Sequence, residues 1–404
     1  ERAKKVLKLA GLIDANAHEL CRLEALCSGK PKFLSTTNHR TSWASANMTI
    51  TDYTGLCDKL EGESFPPDNG FIKIIRREPI GVCSVVNAFN GPAVMVAFKG
   101  APCLAAGNTM VVKASEKTPV STIYFGRLLN EAGFPPGVMN IISRGSETGA
   151  LLASHMDVDK ISFTGSVNTG KIAQMAASRN LKRVTLELGG KSPSIVFPDA
   201  NLQVAVQWCT QGIVGNSGQA CTASSRIYVH KDIKEKFVQA MKTAFESLDG
   251  SFGDPKKDTT TIGPLVDKMQ FERVLSYVES GKTETTLVCW MRPAIFVDPN
   301  ADAKIYKEEI FSPVVVISEF TEEEEVIARA NATPFGLSGA VFSQDINRAM
   351  RVSAKIHSGT VCVNCCTMVD IFAPFGGFKS SGWGRELGKY GIQAYTEHKT
   401  VFIK

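Results

Sequence analysis

The chain predicts an α/β fold built on open parallel sheets. Three observations carry this expectation. Apolar runs of strand length alternate with longer amphipathic stretches from residue 81 onward, and Gly- and Pro-rich punctuation separates them. The composition, 44% hydrophobic and 21% charged over 404 residues, supplies enough apolar chain for large cores. That length suits two or three domains. A net charge of +5 with this apolar content excludes a disordered chain.

Each element follows from local pattern. Val6, Leu7, Ala10, Ile13, Leu20, Leu23 and Leu26 recur at helical spacing across residues 2–27, and residues 42–62 read as a more polar helix. Segments 72–75 and 81–86 read as two strands around the turn at Glu78-Pro79. Strands are then predicted at 109–112, 138–142, 160–163 and 183–188. Helices at 119–132, 146–153 and 168–179 lie between them, the first stopped by Gly133. A second α/β unit begins near Gly189-Gly190, with strands at 194–197 and 226–229 and helices at 202–212 and 233–248. Strands alternating with helices imply parallel sheets covered on both faces.

Charge and cysteine usage narrow the function classes. Lys4, Lys5 and Lys8, or Arg76-Arg77, are too short to form a nucleic-acid footprint, so no nucleic-acid partner is expected. The uncharged stretch 81–98 contains Asn87, Asn90, Gly91 and Pro92 and makes a poor membrane span. Eleven cysteines without regular spacing indicate free thiols, a reducing compartment and a cytoplasmic protein. Cys362, Cys365 and Cys366 cluster, but no histidine spacing accompanies them and no metal site is expected.

Three segments carry candidate chemistry. Phe163-Thr164-Gly165-Ser166-Val167-Asn168-Thr169-Gly170-Lys171 ends a strand and opens a helix whose free N–H groups suit an anion such as pyrophosphate. Ile172 stands where a P-loop needs Ser or Thr, and a plain glycine turn with a capped helix remains the alternative. Cys221, in Gln219-Ala220-Cys221-Thr222 after a Gly- and Ser-rich loop, reads either as an exposed nucleophile or as a buried thiol. Glu187, between a buried-looking strand and Gly189-Gly190, reads either as a desolvated base or as a salt-bridged carboxylate.

Taken together and in order, these segments resemble the aldehyde dehydrogenase superfamily over essentially the whole chain. Phe89-Asn90-Gly91-Pro92, Ala105-Ala106-Gly107-Asn108-Thr109, Lys113-Ala114-Ser115-Glu116, Glu308-Glu309-Ile310-Phe311-Ser312-Pro313 and Pro374-Phe375-Gly376-Gly377-Phe378 add to the match, and the broad-range NAD-linked members look nearest. The resemblance implies oxidation of an aldehyde to a carboxylic acid through a cysteine thiohemiacetal and thioester. Cys221 would be the nucleophile, the Asn90 amide an oxyanion donor and Glu187 the base for the hydrolytic water. Lys113, Glu116, Gly165, Ser166, Leu188, Glu309 and Phe311 would bind the cofactor. Glu116 would hold the ribose hydroxyls and repel a 2′-phosphate, favouring NAD over NADP.

By the same resemblance, residues 1–188 would form the cofactor domain and 189–378 the catalytic domain, with 379–404 a returning segment. Strands near 68–83 and 398–404 would make a small oligomerisation arm of a homodimer or homotetramer. The chain departs from the family in places. Phe89 stands where the family usually has Trp, Ala114 replaces the usual Pro, and Asn87 enters a normally apolar strand. The connection 281–298 is compressed and threatens a strand of the catalytic domain. Glu1 opens inside helical sequence, so part of the outer wall of the cofactor domain is expected to be missing. These departures leave an alternative: a degenerate member that binds nucleotide or partners without turnover.

Overall fold

The computed structural model describes residues 1–31, 42–67, 69–290 and 293–404. Strands β1 (Glu63–Phe65) and β2 (Ile72–Pro79) precede a first parallel unit. That unit contains β3 (Val82–Val86), β4 (Thr109–Ala114), β5 (Met139–Ser143), β6 (Lys160–Thr164) and β7 (Arg183–Glu187). A second unit follows with β8 (Pro193–Val196), β9 (Arg226–His230), β10 (Thr286–Trp290), β11 (Ala294–Val297), β12 (Val314–Phe320), β13 (Ser338–Phe342) and β14 (Thr360–Val363). The chain closes with β15 (Gly382–Trp383) and β16 (Thr396–Ile403). Among the described residues these strands form a six-stranded sheet β15-β7-β6-β3-β4-β5, a seven-stranded sheet β10-β11-β12-β9-β8-β13-β14, and a three-stranded sheet β1-β2-β16.

The helices form where the apolar spacing and the end signals agree. Pro92 opens the helix Pro92–Ala106 at its first turn and Gly107, at φ 92°, ends it. Gly133 ends Val120–Ala132 in the same way at φ 83°. The amino-terminal pattern resolves into two helices, Arg2–Ala15 and Ala17–Ser28, interrupted at Asn16, whose Nδ2 donates to the Leu12 carbonyl at 2.8 Å. Val6, Leu9, Ile13 and Leu20 enter the core of the first unit with Val85, Val96, Leu104 and Val112. Leu7 and Leu26, which fit the same spacing, face outward.

In the second unit, β12 is buried on both faces over Val314, Val315, Val316 and Ile317. Such burial contributes about 1.5–3 kcal/mol per side chain and explains its unbroken apolar run.

The order of the six-stranded sheet places the site. From β3 the chain moves outward to β4 and β5, then crosses back to β6 and β7 on the other side. The crevice beyond the carboxyl ends at such a reversal is where open sheets bind ligands. Asn90 follows β3, Gly165 and Ser166 follow β6, and Glu187 ends β7. The antiparallel β15 caps this edge, pairing Gly382 with Glu187, while the Leu188 N–H donates to the Ser381 carbonyl at 2.9 Å.

Three expectations need correction. The carboxyl end of the segment expected near 68–83 does not join that sheet: Val82 and Cys83 open β3, which lies at the middle of the parallel sheet, paired with β4 and β6. Burial of Cys83 and Val85 draws it there, and Gly81 at φ 128° breaks it from β2. The three-stranded sheet is β2 between β16 and β1, with Ile72 opposite Ile403 and Pro79 opposite Thr396; Asp68 lies outside the described residues. The helix expected over 42–62 ends at Leu56, where the Lys59 N–H turns back onto the Leu56 carbonyl at 3.1 Å, and the exposed strand Glu63–Phe65 follows. Finally, the compressed connection keeps its strands. β10 and β11 pair as an antiparallel hairpin with a register shift between Leu287 and Cys289, and β11 runs parallel to β12. Met291 and Arg292 lie outside the described residues.

Candidate active site

Cys221 lies on a loop held by close backbone approaches. Asn216, Ser217 and Gly218 all have positive φ, turning the chain sharply after the helix Leu202–Val214. A Cβ on Gly218 would sit 2.1 Å from the Ser312 carbonyl carbon, and one on Gly190 would sit 2.2 Å from the Cys221 carbonyl oxygen. Only glycine lets these segments meet. The Gln219 side chain ties the loop to its surroundings, its Oε1 accepting the Val266 N–H at 3.0 Å.

The Asn90 amide reaches this loop. Its Nδ2 donates to the Gln219 carbonyl at 2.9 Å, and Asn216 Nδ2 donates back to the Asn90 carbonyl at 3.0 Å. Cys221 is half-buried. Burial, followed by the carboxylates of Glu309 and Glu187, pushes its thiol up to about 12. At neutral pH the sulfur therefore rests protonated.

Glu187 is 4% exposed, and neither carboxyl oxygen has a hydrogen-bond partner. Burial and then the nearby Glu386 raise its pKa well above the ordinary carboxylate range, while Lys99 and Arg385 act in the opposite sense. Gly376 makes room for it: a Cβ there would sit 2.8 Å from Glu187 Oε1. Behind Glu187, Lys99 and Glu386 form a buried ion pair. Ser162 Oγ bridges the two, 3.1 Å from Lys99 Nζ and 3.2 Å from Glu386 Oε1.

Sequence reading missed both members of that pair. Lys99 had a local signal, the single charge within the otherwise apolar helix Pro92–Ala106. Glu386 had none, since it reaches the site only because β15 folds back onto β7.

Of the residues expected to hold a cofactor, Ser166 and Glu309 line one crevice, and the others lie on the strand ends and turns nearby. Ser166 caps the helix Val167–Ala177, accepting the Thr169 N–H at 3.2 Å. The Gly165 N–H donates to the Glu187 carbonyl at 3.2 Å, linking the two strand ends. Leu188 packs under this helix, where a Cβ on Gly170 would meet its Cδ2 at 2.6 Å. Lys113 Nζ, at the end of β4, pairs with Glu116 Oε2 at 2.5 Å.

Glu309 Oε1 accepts the Gly190 N–H at 3.0 Å, and burial pushes its carboxyl up to about 7. Phe311 is held at φ 64° with its ring edge-on to Phe89 at 5.6 Å. Gln270 steadies that strained turn, its Nε2 donating to the Phe311 carbonyl at 3.0 Å. A crevice of about 660 Å³ opens between Ser166, Val167 and Lys171 on one wall and Arg273, Glu309 and Phe335 on the other. Such a volume accommodates a small-molecule ligand. Cys221, Glu187, Asn90 and Glu309 are thus gathered around one loop, while Lys113 and Glu116 form their own pair on β4 and the turn after it.

Comparison with known proteins gives a consistent result. Residues 1–401 match the model of the aldehyde dehydrogenase family. The chain is 46% identical to retinal dehydrogenase 2 of Gallus gallus over a 418-residue alignment covering 100% of this chain and 80% of that protein. Aldehyde dehydrogenase 1A1 of Ovis aries is 43% identical, with 82% of its length covered. Among solved structures, an NAD+ complex of aldehyde dehydrogenase from Bacillus cereus superposes with a TM-score of 0.97 at 40% identity, covering 100% of this chain and 84% of the other.

Proposed function

The chain belongs to the aldehyde dehydrogenase family, and on that premise we propose that it oxidises an aldehyde to a carboxylic acid with NAD, through a thioester on Cys221. The observation that carries the reading is the gathering of a half-buried thiol, an unpartnered buried carboxyl and an amide donor around one clamped loop.

The residues present fit a dinucleotide. The crevice has the needed volume, the capped helix offers free N–H groups to a pyrophosphate, and Glu309 is held by a single backbone N–H ready to exchange for a ribose hydroxyl. Lys113 and Glu116 would take the other ribose, and the Glu116 carboxylate favours NAD over NADP because a 2′-phosphate would meet a like charge. Leu188 and Phe311 would supply apolar packing. When bound, NAD accepts the hydride that leaves the substrate carbon.

The protein's own groups do the rest. Cys221 gives its proton to water, and its sulfur bonds to the aldehyde carbon. The Asn90 amide and the Cys221 backbone N–H stabilise the oxyanion that forms. After oxidation, Glu187 takes a proton from water as the water attacks the thioester. A carboxyl whose pKa is raised by burial is suited to receiving that proton, and the Lys99–Glu386 pair holds charge behind it.

The same reading includes self-association and a cytoplasmic setting. Leu151, Ile172, Met175 and Leu181 on one side, and Phe402 and Ile403 on β16, expose apolar surface of the kind that a second copy covers in a homodimer or homotetramer. Free thiols at all eleven cysteines suit a reducing compartment.

The test is NADH formation across a panel of aldehydes, with Cys221→Ala as control. Turnover lost in the variant supports the reading. A folded sample that reduces no NAD with any aldehyde overturns it.

A further inference from the structure

The sequence Cys362-Val363-Asn364-Cys365-Cys366 has no part in the chemistry above. Cys362 is the buried residue near the end of β14, and Cys365 is half-buried on the segment that follows. Cys365 and Met368 pack against the buried apolar cluster that holds Cys362 and Cys366. The chain therefore curls back over Cys362. Asn364 and Thr367 adopt left-handed backbone at φ 55° and 56° to allow this. Asn364 is fixed from outside, its Oδ1 accepting the Ser343 N–H and its Nδ2 donating to the Ser343 carbonyl, both at 3.0 Å.

The third cysteine connects this turn to the Cys221 loop. Cys366 Sγ donates to the Trp208 carbonyl at 3.1 Å and sits with Ser224 Oγ against Gly212, Ser224 lying three residues beyond Cys221. A Cβ on Gly212 would lie 2.6 Å from that sulfur, and the Ser224 N–H donates to the Gly212 carbonyl at 3.2 Å. Cys366 is thus locked between the helix Leu202–Val214 and the loop, leaving Cys365 as the accessible thiol. Among the described residues no group of three or more metal-ligating side chains occurs, so sulfur–sulfur chemistry is what this turn offers.

We propose that Cys362 and Cys365 are an oxidative modification site, a dithiol that small-molecule disulfides convert to an intramolecular disulfide, displacing the segment that packs on the Cys221 loop. The deprotonated Cys365 sulfur attacks the disulfide RSSR, forming a mixed disulfide and releasing RS⁻. Cys362 then loses its proton and attacks the Cys365 sulfur, and a second RS⁻ leaves. The two thiols are oxidised by two electrons and RSSR is reduced to two RSH. Burial pushes the Cys362 thiol up to about 11, so the second step is the slow one and quickens with pH. Closing the bond must draw the two sulfurs to the roughly 2 Å of a disulfide, a movement on the order of an ångström or more. A shift of that size beside a reacting group is enough to alter substrate positioning.

The kinetic part of this proposal rests on Cys221 being the nucleophile; the site itself does not. The chain is treated with glutathione disulfide and peptide-mapped. KM and kcat for an aldehyde, and the alkylation rate of Cys221, are measured before oxidation, after it, and after reduction. A Cys362–Cys365 bridge is expected, with KM raised about fivefold or more and restored by dithiothreitol. Cys362→Ser is expected to stop at a glutathione adduct on Cys365, and the map of the unmodified chain stands if that variant fails to fold. Oxidation of Cys221 itself lowers kcat at constant KM and is thereby told apart. The Cys221 alkylation rate reports the displacement even if no aldehyde is turned over. The proposal is overturned if Cys362 and Cys365 stay reduced, if Cys365 joins Cys366 instead, or if the bridge forms while KM and Cys221 alkylation are unchanged.

Discussion

Asn90 and Gln219 are joined by a 2.9 Å hydrogen bond from the side-chain amide of one to the backbone carbonyl of the other, across 129 residues of sequence. One amide N–H is thereby spent on positioning, and the second remains for an oxyanion. Asn90→Ala removes both, and kcat is expected to fall by about 10²–10³ with KM little changed. Steady-state kinetics with a single aldehyde check this; an equal fall in a circular-dichroism melting temperature would trace the loss to folding instead.

The Cys221 thiol is raised to about 12 by burial, Glu309 and Glu187. Its reaction with iodoacetamide without cofactor is expected to accelerate about tenfold per pH unit through the neutral range, because the thiolate fraction does so. Glu309→Gln removes one of the two raising carboxylates and is expected to speed alkylation. The gain appears above about pH 7, where Glu309 is ionised, and vanishes below it, where Glu309 is already neutral.

Lys99→Met would leave the Glu386 carboxylate buried without its partner. A cost of about 3–5 kcal/mol in stability is expected, read by urea unfolding. Lys99 also holds the Glu187 pKa down, so the base limb of the pH–rate profile moves to higher pH in any active Lys99→Met protein. A charge-preserving Lys99→Arg that also moves the limb by the same amount would argue against this account.

Gly190→Ala brings a methyl group to 2.2 Å from the Cys221 carbonyl oxygen. Backbone must shift on one side or the other. A loss of about 1–3 kcal/mol is expected together with a drop in kcat. Gly215→Ala, where a Cβ meets nothing within 4 Å, serves as the matched control.

What the sequence alone determined was the α/β alternation and the motifs that carry the family resemblance. Strand runs such as 160–163 and 194–197, the helix stop at Gly133 and the cap at Ser166 are local features, written in apolar spacing and in the few residue types that end helices. The linear motif also pointed to Cys221, Glu187 and Asn90. Tertiary structure alone decided the state of these groups. The protonation of Cys221 and the raised carboxyl of Glu187 come from burial and from Glu309, Glu386 and Lys99, which are distant in sequence. It also decided which sheet each strand joined. Residues 72–79 and 82–86 are neighbours in the chain, yet one pairs with the carboxyl-terminal strand and the other sits between β4 and β6. Local pattern reports how a strand alternates, but its partners follow from which surface buries it, and that surface exists only once the whole chain has folded.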